Sequence, residues 1–386
     1  MKVLHCCLAA FYIDNYGYQE NILPKMHKIQ GHEVHILAST ETYIKNKYLG
    51  YVEASTYISE TGIPVTRIPY VKWLPRKVSR KLRIYTGITT YLNRINPDII
   101  FIHDLQFISI KEICNYIGEN SNVKVFVDGH TDYINSARNW LSKRVLHGQI
   151  YKWCAKKIEP YTSKFYGVLP LRVDFFHEVY KIPKNKIELL ELGADDSCYD
   201  FSKKDIIRSE VRSTLGLTEI DFLIVTGGKI DERKKIHILI DVVNQISNKN
   251  IKLLVFGQPN TEMEKEILNS CNSKYIKYLG WLNPEDIYNF LFASDLGFFP
   301  GTHSVLWEQA IGVGLPCVFR KWYKIQHVDL GGNCIFIKDS KFSTIKETLL
   351  SIFNNPILLR DMKEIALTKG VARFSYSEIA KRAIIG

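Results

Sequence analysis

Short apolar runs alternate with longer amphipathic segments along the whole chain. Strand-length runs occur at VLHCCLA (3–9), EVHILA (33–38), DIIFIH (98–103), VKVFVD (123–128) and FYGVL (165–169). A second series follows at FLIVTG (222–227), IKLLVFG (251–257), YIKYLG (275–280), LGFFP (296–300) and LPCVF (315–319). Between the first two runs, Leu23, Met26 and Ile29 recur near helical spacing, and Gly31 marks the stop. Strands that are apolar almost throughout, separated by helices, predict parallel sheets covered on both faces. Two such series predict an α/β protein of two doubly wound, Rossmann-like domains. The polar stretch ADDSCYDFSKKD (194–205) lies between a strand at IELL (187–190) and a helix over 206–215. It has no apolar periodicity and reads as a linker, which gives domains at 1–193 and 206–370 and a terminal segment at 371–386.

Composition agrees with this picture. A chain of 386 residues with 46% hydrophobic and 24% charged residues suits two globular domains. No apolar run approaches the roughly 20 residues of a membrane-spanning helix. The opening VLHCCLAAFYI contains a His and meets Asp14 without a small-residue cleavage site, so a buried first strand is expected rather than a signal peptide. The eight cysteines form no C-x-x-C pair and are expected to be reduced, mostly buried thiols of a cytosolic protein. The net charge of +11 is uneven: residues 1–192 hold 26 Lys and Arg against 17 Asp and Glu, and the remainder 25 against 23. Only the first half is expected to face an anionic partner.

Parallel sheets invite a dinucleotide, but the G-x-G-x-x-G fingerprint is absent. The first strand is followed by a single Gly17, and FLIVT by GGKIDERKK without a third glycine. No Walker A sequence occurs. Six segments in fixed order carry a different signal: YGYQENILPKMHKIQGHEVHILAST (16–40), PDIIFIHD (97–104), VDGHTD (127–132), GGKIDERKKIHILID (227–241), LGWLNPEDIYNFLFASDLGFFPGTHSVLWEQAIGVGLPCV (279–318) and FSYSEIAKR (374–382). Together they resemble the family-four retaining glycosyltransferases of the GT-B fold (glycosyl transferases group 1). The resemblance implies two Rossmann-like domains facing a cleft, with the terminal helix returning to the N-terminal domain. It also implies a nucleotide sugar held by the C-terminal domain, transfer with retention, and no metal or other cofactor.

Site residues follow from the motifs. Gly228, Lys229, Arg233 and Lys234 lie after a strand at a carboxyl edge, where cations can neutralise a diphosphate. The alternative there is a solvated basic turn, since Asp231 and Glu232 are adjacent. His303, Ser304 and Val305 lead into a helix whose first turn suits phosphate, and Glu308 takes the position of the family's ribose-binding Glu. Gly17 belongs to the opening donor loop by the same resemblance. One departure stands out: the family's first Glu is Pro300 here, and His303 is the candidate substitute. In the first half His130 occupies the family's active-site His position, with Asp128 and Asp132 flanking it to orient the ring, and His103 with Asp104 forms a second polar pair on the same rim.

The acceptor side is read from VKWLPRKVSRKLRIYTG (71–87), where Lys72, Arg76, Lys77, Arg80 and Lys81 surround Trp73, Leu74 and Tyr85. A second basic and aromatic segment spans 137–157. These fit an anionic membrane surface, ahead of a solvated face and of nucleic acid, which is not expected. The expected function is therefore transfer of a hexosyl or related sugar from a UDP- or GDP-sugar to a saccharide acceptor that is lipid-linked. The setting would be bacterial envelope polysaccharide assembly, on the cytoplasmic face of the cell membrane as a peripheral protein. The alternatives are a GT-B sugar-nucleotide epimerase and a non-catalytic GT-B partner protein.

Overall fold

The computed structural model describes residues 1–44, 48–132 and 142–385. The chain forms two compact units, Met1–Glu191 together with Ile379–Gly386, and Leu192–Glu378.

The first unit contains strands β1 (Lys2–Cys7), β2 (Glu33–Ser39), β3 (Glu41–Ile44), β4 (Tyr48–Tyr51), β5 (Ser55–Ile58), β6 (Pro64–Ile68), β7 (Ile99–His103), β8 (Lys124–Gly129), β9 (Thr162–Gly167) and β10 (Ile187–Leu189). Eight of them make one sheet in the order β10-β9-β8-β7-β1-β2-β6-β5, while β3 and β4 pair as a separate antiparallel hairpin. All pairs of the large sheet are parallel except β5 with β6. Leu4, Ile100, Ile102, Val125 and Val127 pack one face, and Val34, Ile36, Ala38 and Val65 the other. Covering both faces is why these strands lack polar alternation. After β1 the chain moves outward through β2 and β6, then returns to the opposite side of β1 with β7. That reversal creates a switch point at the carboxyl ends of β1 and β7. Helix α1 (Gln19–Ile29) buries Ile22, Leu23 and Met26, and helix α2 (Arg76–Leu82) buries Ser79.

The second unit has one parallel sheet of β11 (Phe222–Gly227), β12 (Ile251–Phe256), β13 (Ile276–Tyr278), β14 (Leu296–Phe299), β15 (Cys317–Arg320) and β16 (Cys334–Ile337). Its order, β13-β12-β11-β14-β15-β16, places a second switch point between β11 and β14. Helix α3 (Leu306–Gly312) follows β14, and its Trp307 stacks on Phe319 with ring centroids 4.3 Å apart. Two glycines bring the loops at this edge together. Gly257 has φ 115°, and a Cβ there would lie 1.8 Å from the Gly228 carbonyl oxygen. A Cβ on Gly301 would lie 2.3 Å from the Lys234 carbonyl carbon and oxygen, so only glycine lets that loop meet the turn after β11.

Several elements differ from the sequence expectation. The stretch expected as a linker, 194–205, is packed into the second unit. The Ala194 N–H donates to the Phe374 carbonyl at 2.7 Å, and Asp196 accepts from Ser375 and Ser377. Strands β3 to β6 and β16 were not anticipated. Each is four or five residues long, and β4 and β5 are largely exposed, so none produces a continuous apolar run. All eight cysteines are free thiols, seven buried and Cys198 half-buried.

Candidate active site

In the first unit His130 follows β8 directly, and its surroundings come from three elements. Its backbone N–H donates to Asp104 Oδ1 at 3.0 Å. Asp104 follows β7 in a left-handed turn with φ 59°, and its own N–H reaches Asp128 Oδ1 at 3.2 Å. The His130 Nε2 lies 3.5 Å from Asp128 Oδ2 and 3.9 Å from Glu20 Oε1 of α1. Burial alone would lower the His130 pKa, but the carboxylates of Asp128 and Glu20 outweigh it and raise it to about 9. The ring is therefore an imidazolium at neutral pH. Burial would likewise raise the Asp128 carboxyl, yet the charges of His103 and His130 and their hydrogen bonds hold it well below the usual range.

Asp132 pairs with Arg172 at 3.2 Å. One expectation changes here. His103 is not on the rim: it is fully buried beneath Asp128 and donates from Nδ1 to Oδ2 at 2.8 Å. Behind it runs a line of histidines that the sequence reading missed. His103 Nε2 meets His5 Nδ1 at 3.0 Å, His5 Nε2 meets His27 Nδ1 at 2.9 Å, and His27 Nε2 meets the Ala380 carbonyl at 2.9 Å. The signal was a polar His5 inside an otherwise apolar strand. Its partners stand up to 98 residues away along the chain.

In the second unit the expected donor residues cluster at the β11/β14 switch point, with different fates. Lys234 is half-buried, and its ammonium donates to the carbonyls of Thr302 at 2.9 Å and His303 at 2.7 Å. Burial, ahead of the opposing pull of Asp231, lowers its pKa to about 8. Arg233 instead turns outward, 68% exposed, and pairs with Asp231 at 2.6 Å. The solvated-turn alternative thus holds for Arg233, and for Lys235, which pairs with Glu232. Lys229 is exposed, and Gly228 is left-handed with φ 108°. Ser304 and Val305 are half-buried in the loop before α3, and the Trp307 N–H is already used by the Ser304 carbonyl at 3.0 Å. Gly17 lies exposed in the first unit, in a loop with open space at its Cα.

Glu308 is fully buried. Its Oε1 accepts from His303 Nε2 at 2.7 Å and from His327 Nε2 at 2.8 Å, while Oε2 is buried without a hydrogen-bond partner. Burial would raise this carboxyl, but the two histidines, His303 first, bring it to about 2. His327 was not foreseen, since it lies 19 residues beyond Glu308 in a loop without a motif. The groups His103–Asp128–His130 and His303–Glu308–His327 each bring their ligand atoms within 4.8 Å of one another. Within both, the short contacts are hydrogen bonds from histidine to carboxylate, which account for the buried charge.

A pKa raised in the folded state gives His130 a definite pH signature. Its ion pairing stabilises the fold fully below the ordinary value of 6.5 and is lost as the pH rises through about 9. Side-chain NMR should place the His130 midpoint near 9. The stability advantage of the wild type over His130→Gln should vanish across the same interval. A midpoint near 6.5 would contradict the described contacts.

Comparison with known proteins agrees with this architecture. Residues 208–369 match the family model described as Glycosyl transferases group 1. No curated protein sequence matches the chain. Among solved structures, sucrose-phosphate synthase from Thermosynechococcus elongatus aligns with a TM-score of 0.66 at 14% identity, covering 99% of this chain and 96% of that one. Anabaena Alr3699/HepE in complex with UDP aligns with a TM-score of 0.65 at 14% identity, covering 99% and 98%. WaaG, a glycosyltransferase involved in lipopolysaccharide biosynthesis, gives 0.64 at 14% identity, covering 99% of each chain. The chain therefore has the GT-B fold, and its residues 208–369 are similar to the glycosyl transferases group 1 family.

Proposed function

We propose that this protein is a glycosyltransferase that moves a hexosyl or related sugar from a UDP- or GDP-sugar to a saccharide acceptor, with retention and without a metal. The observation that carries the reading is Lys234. Its ammonium has lost most of its water, sits at a switch point, and is met most closely by two backbone carbonyls. A desolvated cation held in this way gains strongly from an arriving diphosphate. Lys229, exposed on the same turn, adds a second charge. As the glycosidic bond breaks, negative charge grows on the diphosphate, and fixed cations favour that state over the ground state. His130, cationic at neutral pH, can donate to sugar or phosphate oxygen. Glu308 keeps one buried carboxylate oxygen without a partner, an acceptor that a ribose hydroxyl would satisfy. The UDP bound by Anabaena Alr3699/HepE supports the nucleotide assignment.

The acceptor is proposed to be lipid-linked, reached from an anionic membrane surface in envelope polysaccharide assembly. The role of WaaG in lipopolysaccharide biosynthesis supports that setting. So does the surface of the first unit. Trp73 is 77% exposed, Lys72, Arg76, Lys77 and Lys81 are exposed around it, and Arg80 lies 3.4 Å over the half-exposed ring of Tyr51. Two residues leave the earlier list: Tyr85 is buried with its hydroxyl on the Leu8 carbonyl at 2.6 Å, and Leu74 is half-buried. In the second basic segment Trp153, Lys156 and Lys157 are exposed, while 137–141 lie outside the described residues.

Two experiments follow. Lys234→Ala should weaken nucleoside-diphosphate binding about 10- to 100-fold, the loss of a charged hydrogen bond. Nucleoside binding should stay within about twofold. In the wild type, diphosphate affinity should fall as the pH rises through about 8, where Lys234 loses its proton, and the variant should lack that limb. Equal losses for both ligands would refute the phosphate assignment. The second experiment uses vesicles. Binding should rise with the anionic lipid fraction and fall with salt. Changing Arg76, Lys77, Arg80 and Lys81 to Glu should abolish it while donor binding persists. Trp73→Ala should weaken the salt-resistant part. Indifference to anionic vesicles at low salt would overturn the membrane proposal.

A further inference from the structure

The line of buried histidines behind His130 has a direction and a proton count. A backbone carbonyl can only accept, so the Ala380 oxygen fixes the proton of His27 on Nε2. A neutral His27 then presents a bare Nδ1, which must accept from His5 Nε2–H. His5 in turn presents a bare Nδ1 and accepts from His103 Nε2–H. Three neutral imidazoles supply three protons and these three contacts use them all. A fourth contact remains, His103 Nδ1 to Asp128 Oδ2 at 2.8 Å. A bare nitrogen facing a carboxylate would set two acceptors against each other, so a fourth proton must lie between them.

We propose that His27, His5 and His103 form a one-directional hydrogen-bonded chain, anchored on the Ala380 carbonyl, that makes His103 a buried imidazolium paired with Asp128 and thereby positions His130. His5 and His27 are the neutral members. Burial and neighbouring histidines hold His5 well below its ordinary value, and burial brings His27 to about 4. Asp128 also faces the His130 ring at 3.5 Å and accepts the Asp104 N–H, contacts that favour its anion whatever the state of His103, so the fourth proton rests on His103. The groups facing this end of the chain are Asp128 on β8, Asp104 after β7, Glu20 on α1 and His130 itself. The cation on His103 answers the Asp128 charge from below, fixes Oδ2 in place, and leaves that oxygen aimed at His130 as well. Without it, Asp128 would be balanced by His130 alone, whose proton would be held more tightly. The three histidines are positioning residues. They tie the last residues of the chain, which carry Ala380, to the state of a group some 250 positions earlier in the sequence.

The catalytic consequence rests on the proposed role of His130; the protonation pattern does not. It can therefore be tested without sugar, by long-range 15N correlation spectra of the full chain between pH 6 and 8, assigned with single-histidine variants. His103 should show both ring nitrogens protonated, and His5 and His27 only Nε2. His5→Leu removes the acceptor for His103, so the cationic signature should be lost and the His130 midpoint should move upward. In His5→Gln a side-chain carbonyl can accept from His103 and the amide NH2 can donate to His27, so the signature and the midpoint should return. A neutral His103 in the wild type overturns the proposal, as does an unchanged His130 midpoint in a folded His5→Leu. If His5→Leu does not fold, the wild-type and His5→Gln patterns decide alone. A failed transfer assay with the expected pattern would sink the catalytic reading and leave the chain standing.

Discussion

A carboxylate removed from water costs several kcal/mol unless positive charge and hydrogen bonds meet it. Each unit of this protein carries one at the carboxyl edge of its sheet. Asp128 is fully buried between His103 and His130, and Glu308 between His303 and His327. In both places histidines supply the compensating donors, and in both the result is a polar group held rigidly among apolar strands. The arrangement resists change in a particular way. Removing the histidines would leave a bare buried charge, and removing the carboxylate would leave histidine N–H groups without an acceptor.

Topology explains why these groups stand where they do. In each sheet the chain reverses its winding between two adjacent strands, and the loops leaving those strands diverge to open space above the sheet edge. The left-handed Asp104 uses that space to join β7 to the His130 loop, and Gly257 and Gly301 use it to press the loops around Lys234 together. Lys234 and Glu308 are thereby held in place by the fold itself, with the entropy of ordering already lost in folding.

The fold was legible where burial is two-sided. Strands such as Ile99–His103 and Phe222–Gly227 read as unbroken apolar runs because both faces are covered. Short edge elements were not legible: Tyr48–Tyr51 and Ser55–Ile58 are mostly exposed and follow no apolar period. Among the candidate residues, local motifs singled out His130, Lys234 and Glu308. They could not separate Lys234 from Arg233, one residue apart, because the difference lies in which side chain the Gly301 loop covers. Nor could they find His5, His27 or His327, whose partners come from distant parts of the chain. Trp73 and Tyr85 illustrate the same limit: both sit in one basic run, yet one is 77% exposed and the other 2%.

The proposed function is separation of a sugar from a nucleoside diphosphate for delivery to an acceptor. The most direct measurement is incubation with a panel of UDP- and GDP-sugars, with and without lipid-linked saccharides, followed by analysis of nucleotide and sugar. The account predicts release of free nucleoside diphosphate that is strongly accelerated by one acceptor, with the sugar recovered on that acceptor. Conversion of the donor to an isomeric nucleotide sugar without acceptor, or no reaction with any donor that binds, would contradict it.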